Sequence, residues 1–143
     1  VDSPAPIAIR LRVGAASPAV RGASGRTILA FQPAPIQEWM LRESEASQPA
    51  DWLAACRQRI ANIEERGYEL VEGEVVYGVY DVSFPILDSE GRSIAALTMP
   101  FLTSYQVTVP FAEAAALLHQ AAGRITTTMG GTLPPLSHPL PAL

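Results

Sequence analysis

Between Val75 and Leu87 the chain alternates. The even members, Val76, Gly78, Tyr80, Val82, Phe84 and Ile86, are apolar, and the odd members Tyr77, Val79, Asp81, Ser83 and Pro85 are mixed. A period of two is that of a strand with one face buried. Asp88-Ser89-Glu90-Gly91 then reads as a hairpin loop that returns the chain into a strand from Ser93 to Pro100. Ile7, Ile9, Leu11 and Val13 alternate with Arg10 and Arg12, which predicts a further half-buried strand ended by Gly14. Elsewhere the spacing is three and four. Trp52, Leu53, Cys56, Ile60 and Ile63 predict a helix opened by Pro49-Ala50-Asp51 and closed by a left-handed cap at Gly67, with Arg57, Arg59, Glu64 and Glu65 facing mostly away. A helix over residues 24–33 is stopped by Pro33, and a short one over 35–45 has Ile36, Trp39 and Met40 as its apolar side. After Pro110 a last amphipathic helix carries Phe111, Ala114, Leu118, Ala121 and Ile125 on one side and ends at Gly130-Gly131. Residues 132–143 hold four prolines and no periodicity, so they are expected to be loose or laid over the surface.

This order, with strands joined by a tight hairpin, favours antiparallel pairing with helices gathered against the sheet. The fold class is α+β, of a kind often filed as α/β. A chain of 143 residues supports one core. Its net charge is −4, every basic residue is an arginine, and Arg10/Arg12, Arg21/Arg26 and Arg57/Arg59 are pairs and not stripes. Such a chain is poorly equipped to grip a nucleic-acid backbone by itself. One cysteine, Cys56, excludes an internal disulfide and points to a reducing compartment, the cytoplasm. Its place on the apolar side of a helix makes it a buried structural thiol. No apolar run approaches the ~18 residues that a membrane span needs. Residues 1–6 read as a linker remnant. His119 and His138 form no metal-ligand spacing, so no metal and no cofactor is expected.

Candidate chemistry concentrates where the glycine-flanked turn Gly22-Ala23-Ser24-Gly25 runs into the apolar Ile28-Leu29-Ala30-Phe31. A helix opening in this way leaves backbone amides without intrahelical partners, a docking point for a ligand oxygen; with Ala23 or Ser24 near the cap, the same turn also serves as an ordinary helix start. Ala23 through Phe31 resembles the corresponding segment of the IclR family of bacterial transcriptional regulators. Four further stretches are similar to that family in order and spacing: Ile60 through Tyr68; Glu72-Gly73-Glu74 with Gly78; Phe84 through Asp88 with Gly91 and Ile94 through Thr98; and the closing helix up to Gly130-Gly131.

The resemblance covers residues 7–131 and implies an effector-binding domain with a GAF/profilin-like sheet. In the family such a domain follows an N-terminal winged helix-turn-helix domain that reads DNA, and this chain shows no recognition helix in its first twenty residues. It is thus expected to be either the sensory part of a longer regulator or a stand-alone relative. The resemblance further implies a small-molecule pocket with backbone donors at Ala23, Ser24 and Gly25, strand positions at Val79 and Asp81, and return-strand positions at Thr98 and Pro100. Tyr77 is expected as an aromatic wall or as core, and Tyr80 belongs to the other side of its strand. Arg26, at the family's usual lysine position, is read as a surface or loop-tethering residue. Asp81 stands where relatives that take small carboxylates have an apolar residue or a thiol, and Pro100 where a hydroxyl is common. An ionised Asp81 facing the pocket disfavours a carboxylate and favours a ligand with hydrogen-bond donors, such as an amine, a polyol or a hydroxylated aromatic. The alternative is that Asp81 points to water or pairs with Arg21 or Arg26.

The functional expectation is effector sensing and self-association, as a homo-dimer or tetramer, for a regulator that touches DNA only through the absent domain. Two other readings compete with it. A small enzyme would use Asp81, Ser83 and Thr98, although no histidine is placed near them and no catalytic residue is assigned. A structural dimerisation domain would have its pocket occluded.

Overall fold

Alternation and helical spacing resolve into seven elements in the computed structural model, which describes residues 13–14, 18–45, 49, 51–74, 77–103, 109–141 and 143. They run in the order α1 (Gly22–Ala30), α2 (Ala34–Glu45), α3 (Trp52–Arg66), β1 (Glu69–Glu72), β2 (Val79–Leu87), β3 (Ser93–Leu102) and α4 (Phe111–Thr128). The three strands form one antiparallel sheet in the order β1-β2-β3, and no helix among the described residues is long and apolar enough to cross a membrane. The strand expected from Ile7 lies outside the described residues up to Arg12; Val13, its expected inward end, is fully exposed in a turn.

The two faces of the sheet are covered differently. Val82, Phe84 and Ile86 point to one side, where they pack with Tyr68, Phe111, Ala115 and Ala122. Leu133, Leu136 and Leu140 lie against this core, and the Ser137 hydroxyl donates to the carbonyl of Glu65, so the proline-rich tail is laid over the surface. The odd positions of β2 face α1, which packs against all three strands and against α3. Behind α1 a second core joins Val20, Leu29, Leu41, Cys56, Ile60 and Ile63, with the Cys56 thiol buried and its pKa raised by that burial.

Element ends follow local chemistry. Gly67 closes α3 with φ 87, its amide bonded to the carbonyl of Ile63 at 2.8 Å, a left-handed cap for which glycine has no Cβ penalty. The hairpin is held by the Asp88 carboxylate, which accepts from the amides of Glu90 and Arg92 and from the Arg92 guanidinium. β2 starts at Val79, because Tyr77 and Gly78 form a turn; Val75 and Val76, the first members of the expected strand, lie outside the described residues. At the other end of α1, the Ser93 amide donates to Phe31's carbonyl at 3.1 Å and the Gln32 side chain donates to Ser93's carbonyl at 2.6 Å. These bonds fix the C-terminal end of α1 to the start of β3, and the helix ends at Ala30, ahead of Pro33.

Two helices follow the side their apolar residues suggest only in part: Met40 on α2 and Phe111 and Leu118 on α4 pack against the cores as expected, and Ile36, Trp39 and Ile125 do not. On α2, Ile36 and Trp39 are exposed while Leu41 is buried. Gln37 takes the inward place, donating to the carbonyls of Ala30 and Gln32 and to Glu64. On α4, Ile125 is exposed and Thr126 is fully buried, its hydroxyl accepting the Leu87 amide at 3.2 Å.

Candidate functional site

The start of α1 lies over the odd face of the sheet without a side-chain cap. Gly22 has φ 78, so helical dihedrals begin at Ala23, and the amides of Ala23 and Ser24 have no intrahelical carbonyl by position. Ser24, of a type that caps helices, uses its hydroxyl otherwise. It lies 3.0 Å from the Thr98 hydroxyl on β3, which in turn is 2.8 Å from the Ser83 hydroxyl on β2. Three hydroxyls thus run from the exposed helix start to the fully buried Ser83. Gly25 is required by packing: a Cβ there would overlap the backbone of Ala19.

Register explains why these groups meet. Ser83 is paired with Glu69 on one side and Thr98 on the other, and in the next row Asp81 lies between Val71 and Pro100. Alternation puts both rows on the face toward α1. Val79 is buried on the same face at the start of β2, and Pro100 is exposed. The structure therefore brings Ala23, Ser24, Thr98, Asp81 and Pro100 to one region of the α1–sheet layer. Tyr77 is not brought in. It stands 96% exposed in the turn before β2, neither wall nor core.

Asp81 is half-buried, and its carboxyl is pushed above the ordinary carboxylate range, first by burial and then by the negative charge of Glu74. Among the described residues its carboxylate makes no hydrogen bond and no ion pair. Arg26 does not supply one, because its guanidinium is otherwise engaged. Its Nε donates to Glu69 at 3.0 Å, its Nη1 and Nη2 to the two oxygens of Glu74 at 2.9 and 2.6 Å, and Nη1 also to Val20's carbonyl at 3.3 Å. Arg26 is 4% exposed, so it is a tether, and a buried one, not a surface residue. Burial works against its charge, but the bonds to Glu74 and Glu69 prevail and hold its pKa above the ordinary value.

Glu69, 1% exposed, is the centre of a cluster that sequence reading missed. Its Oε2 accepts from Arg26 and from Arg59 Nε at 3.2 Å, and its Oε1 from Arg66 Nη2 at 2.7 Å and the Leu70 amide at 3.1 Å. Arg59, its side chain 40% exposed as expected of an outward position, still reaches Glu69 through Nε. A signal was present: Arg59, Ile63 and Arg66 recur at helical spacing on one side of α3, and alternation aligns Glu69 with buried Val71.

Residues 1–127 match the family model described as bacterial transcriptional regulator IclR C-terminal. No curated protein matches the chain. Among solved structures, the transcriptional regulator YaiJ is similar with a TM-score of 0.71 and 22% identity, over 87% of this chain and 72% of that one. A protein from Silicibacter sp. described as an IclR transcriptional regulator gives 0.70 and 22%, over 93% of this chain and 54% of its own. An IclR transcriptional regulator from Alicyclobacillus acidocaldarius gives 0.67 and 22%, over 90% and 53%. The chain therefore spans about half the length of the last two relatives.

Proposed function

The chain belongs to the IclR C-terminal family of bacterial transcriptional regulators, and on that premise we propose that it is the effector-sensing and self-associating domain of such a regulator. The proposed domain runs over residues 7–131 and works in the cytoplasm, joined to a winged helix-turn-helix domain that makes the DNA contacts. Family and structural relatives are described as transcriptional regulators, not enzymes.

The observation that carries this reading is Asp81, a half-buried carboxylate without a partner among the described residues, one row from the hydroxyls of Thr98 and Ser24 beneath an uncapped helix start. Leaving a charge partly desolvated and unpaired is costly, and a ligand that donates hydrogen bonds removes the cost. An amine, polyol or hydroxylated aromatic would donate to Asp81 while an oxygen of the same molecule accepts from the amides of Ala23 and Ser24. The remaining proposed contacts, Gly25, Val79 and Pro100, shape the space around it; Tyr77 drops out on its exposure. Ligand binding would favour one placement of α1 over another. Because Arg26 on the same helix holds Glu69 and Glu74, that preference reaches α3 and the rest of the domain as a population shift.

The test is a thermal-shift screen of amines, polyols, hydroxylated aromatics and small carboxylates on the wild type and Asp81→Asn. Donor-bearing compounds should stabilise the wild type, and their advantage over carboxylates should shrink in the variant. An unchanged order of preference would overturn the role of Asp81. Light scattering tests self-association, with a monomer at all concentrations as the adverse result.

A further inference from the structure

We propose that the groove between α3 and β1 is a second ligand site, for a small oxyanion, separate from the site at Asp81. The groove has a volume of about 440 Å³ and is lined by Arg59, Arg66, Gln58, Asn62 and Leu70, with Glu69 at its base. Its charge is set by the cluster described above. Three guanidinium groups, Arg26, Arg59 and Arg66, face two carboxylates, Glu69 and Glu74, which leaves one positive charge uncancelled. The surplus lies on the groove side. Arg26 is 4% exposed, whereas Arg59 and Arg66 are 40% and 28% exposed.

Both groove arginines are held from behind. Arg59 donates through Nε to Glu69, and its Nη1 lies 3.8 Å from Glu74, beyond hydrogen-bond length. Arg66 donates through Nε to Tyr68's carbonyl and through Nη2 to Glu69, and its guanidinium stacks 4.9 Å over the Tyr68 ring. Each guanidinium has five N–H donors, so these bonds leave donors on both that no acceptor among the described residues engages. Two forks fixed by one buried carboxylate make a preorganised clamp, and the planar fork suits a carboxylate or a phosphate. Glu69 does not repel such a guest strongly, because four donors already neutralise it. The Gln58 amide, now donating to Asn62 at 3.0 Å, lies on the same wall and can turn to the guest.

An oxyanion seated here shares Arg59 and Arg66 with Glu69, and Glu69 shares Arg26 with Glu74. The groove is thus wired to α1 and hence to the region of Asp81, so its occupant would act as a second input to the domain.

The experiment is calorimetric titration of the whole chain with inorganic phosphate and, separately, with succinate, at an ionic strength held constant with sodium chloride. Arginine Nε resonances are followed in parallel. Binding of either anion, with movement of the Arg59 and Arg66 signals, supports the site, and the stronger of the two identifies the source of the oxyanion. Gln58→Glu puts a carboxylate in the groove at an exposed helix position, leaves the buried pairs intact, and should weaken binding by about tenfold or more. Arg66→Gln should do the same, while Arg124→Gln, at an exposed position of α4 away from the groove, should leave it unchanged. No binding of either anion, or binding that Gln58→Glu leaves untouched, would overturn the proposal. The titration reads an inorganic anion at Arg59 and Arg66, and the donor screen reads preference at Asp81, so failure of one reading is distinguishable from failure of the other.

Discussion

Two carboxylates share the face of the sheet that α1 covers, one row apart, and they are treated in opposite ways. Glu69 is buried and collects three arginines and a backbone amide; Asp81 is half-buried and collects none among the described residues. Both are inward positions of neighbouring strands, and both lie beside the same helix. The difference separates two uses of a buried charge. Where the protein supplies every donor, the charge holds elements together: Glu69 ties α1, α3 and β1. Where no donor is found among the described residues, as at Asp81, the carboxylate is left open to the donor-bearing ligand proposed above.

The sharpest way to break this contrast is to remove the satisfied partner. Glu69→Ala takes a carboxylate partner from three guanidinium groups, one of them buried, although Arg26 keeps Glu74; it is expected to cost about 3–5 kcal/mol in urea unfolding, and a loss under about 1 kcal/mol would place Glu69 with ordinary surface pairs. Gly25→Ala disturbs the start of α1 beside both carboxylates, because the new methyl overlaps Ala19's backbone and the helix and that segment must part. A loss of about 1–3 kcal/mol is expected, measured by the same denaturation. Ser24→Ala removes one end of the hydroxyl chain, while Thr98 keeps its bond to Ser83. That change should cost about 0.5–1.5 kcal/mol at most.

Asp81→Asn has the smallest effect and the opposite sign. The Asp81 pKa is raised in the folded state, so the folded protein holds its proton more tightly than the unfolded chain. Its ionised form is therefore a liability above the raised pKa, and stability falls as pH rises through the interval between the unfolded and the folded value. The asparagine variant escapes this. It should melt higher than wild type at neutral pH, with the gain fading as pH drops through that interval and absent below the ordinary carboxylate range. A gain that does not vary with pH would remove ionisation as its cause.

The fold was legible wherever one local rule sufficed. Gly67 as a left-handed cap, the Asp88–Gly91 hairpin and the inward Cys56, Ile60 and Ile63 follow from neighbours a few residues away. Apart from the turns at Val13 and at Tyr77, what escaped shares a cause. Polar residues took interior places because they found distant partners there. Gln37 displaced Ile36 and Trp39 on α2, and Thr126 displaced Ile125 on α4, each by reaching acceptors or donors on other elements. Arg26 meets Glu69 and Glu74 across 43 and 48 residues, a pairing that no periodicity encodes. At the candidate site, alternation predicted that Thr98 and Pro100, like Val79 and Asp81, share a face. It could not reveal that Ser24 would turn its hydroxyl to Thr98 or that Arg26 would leave Asp81 unpaired.

The bonds from Phe31 and Gln32 to Ser93 make one end of α1 a fulcrum. A helix of nine residues is a lever about 13 Å long, so a tilt of about 5° at the fixed end displaces the Ser24 tip by about 1 Å. That travel is enough to open the Ser24–Thr98 contact while the Ser93 end hardly stirs. A ligand gripping the tip, as proposed above, would thereby be read as a change of angle along the shaft.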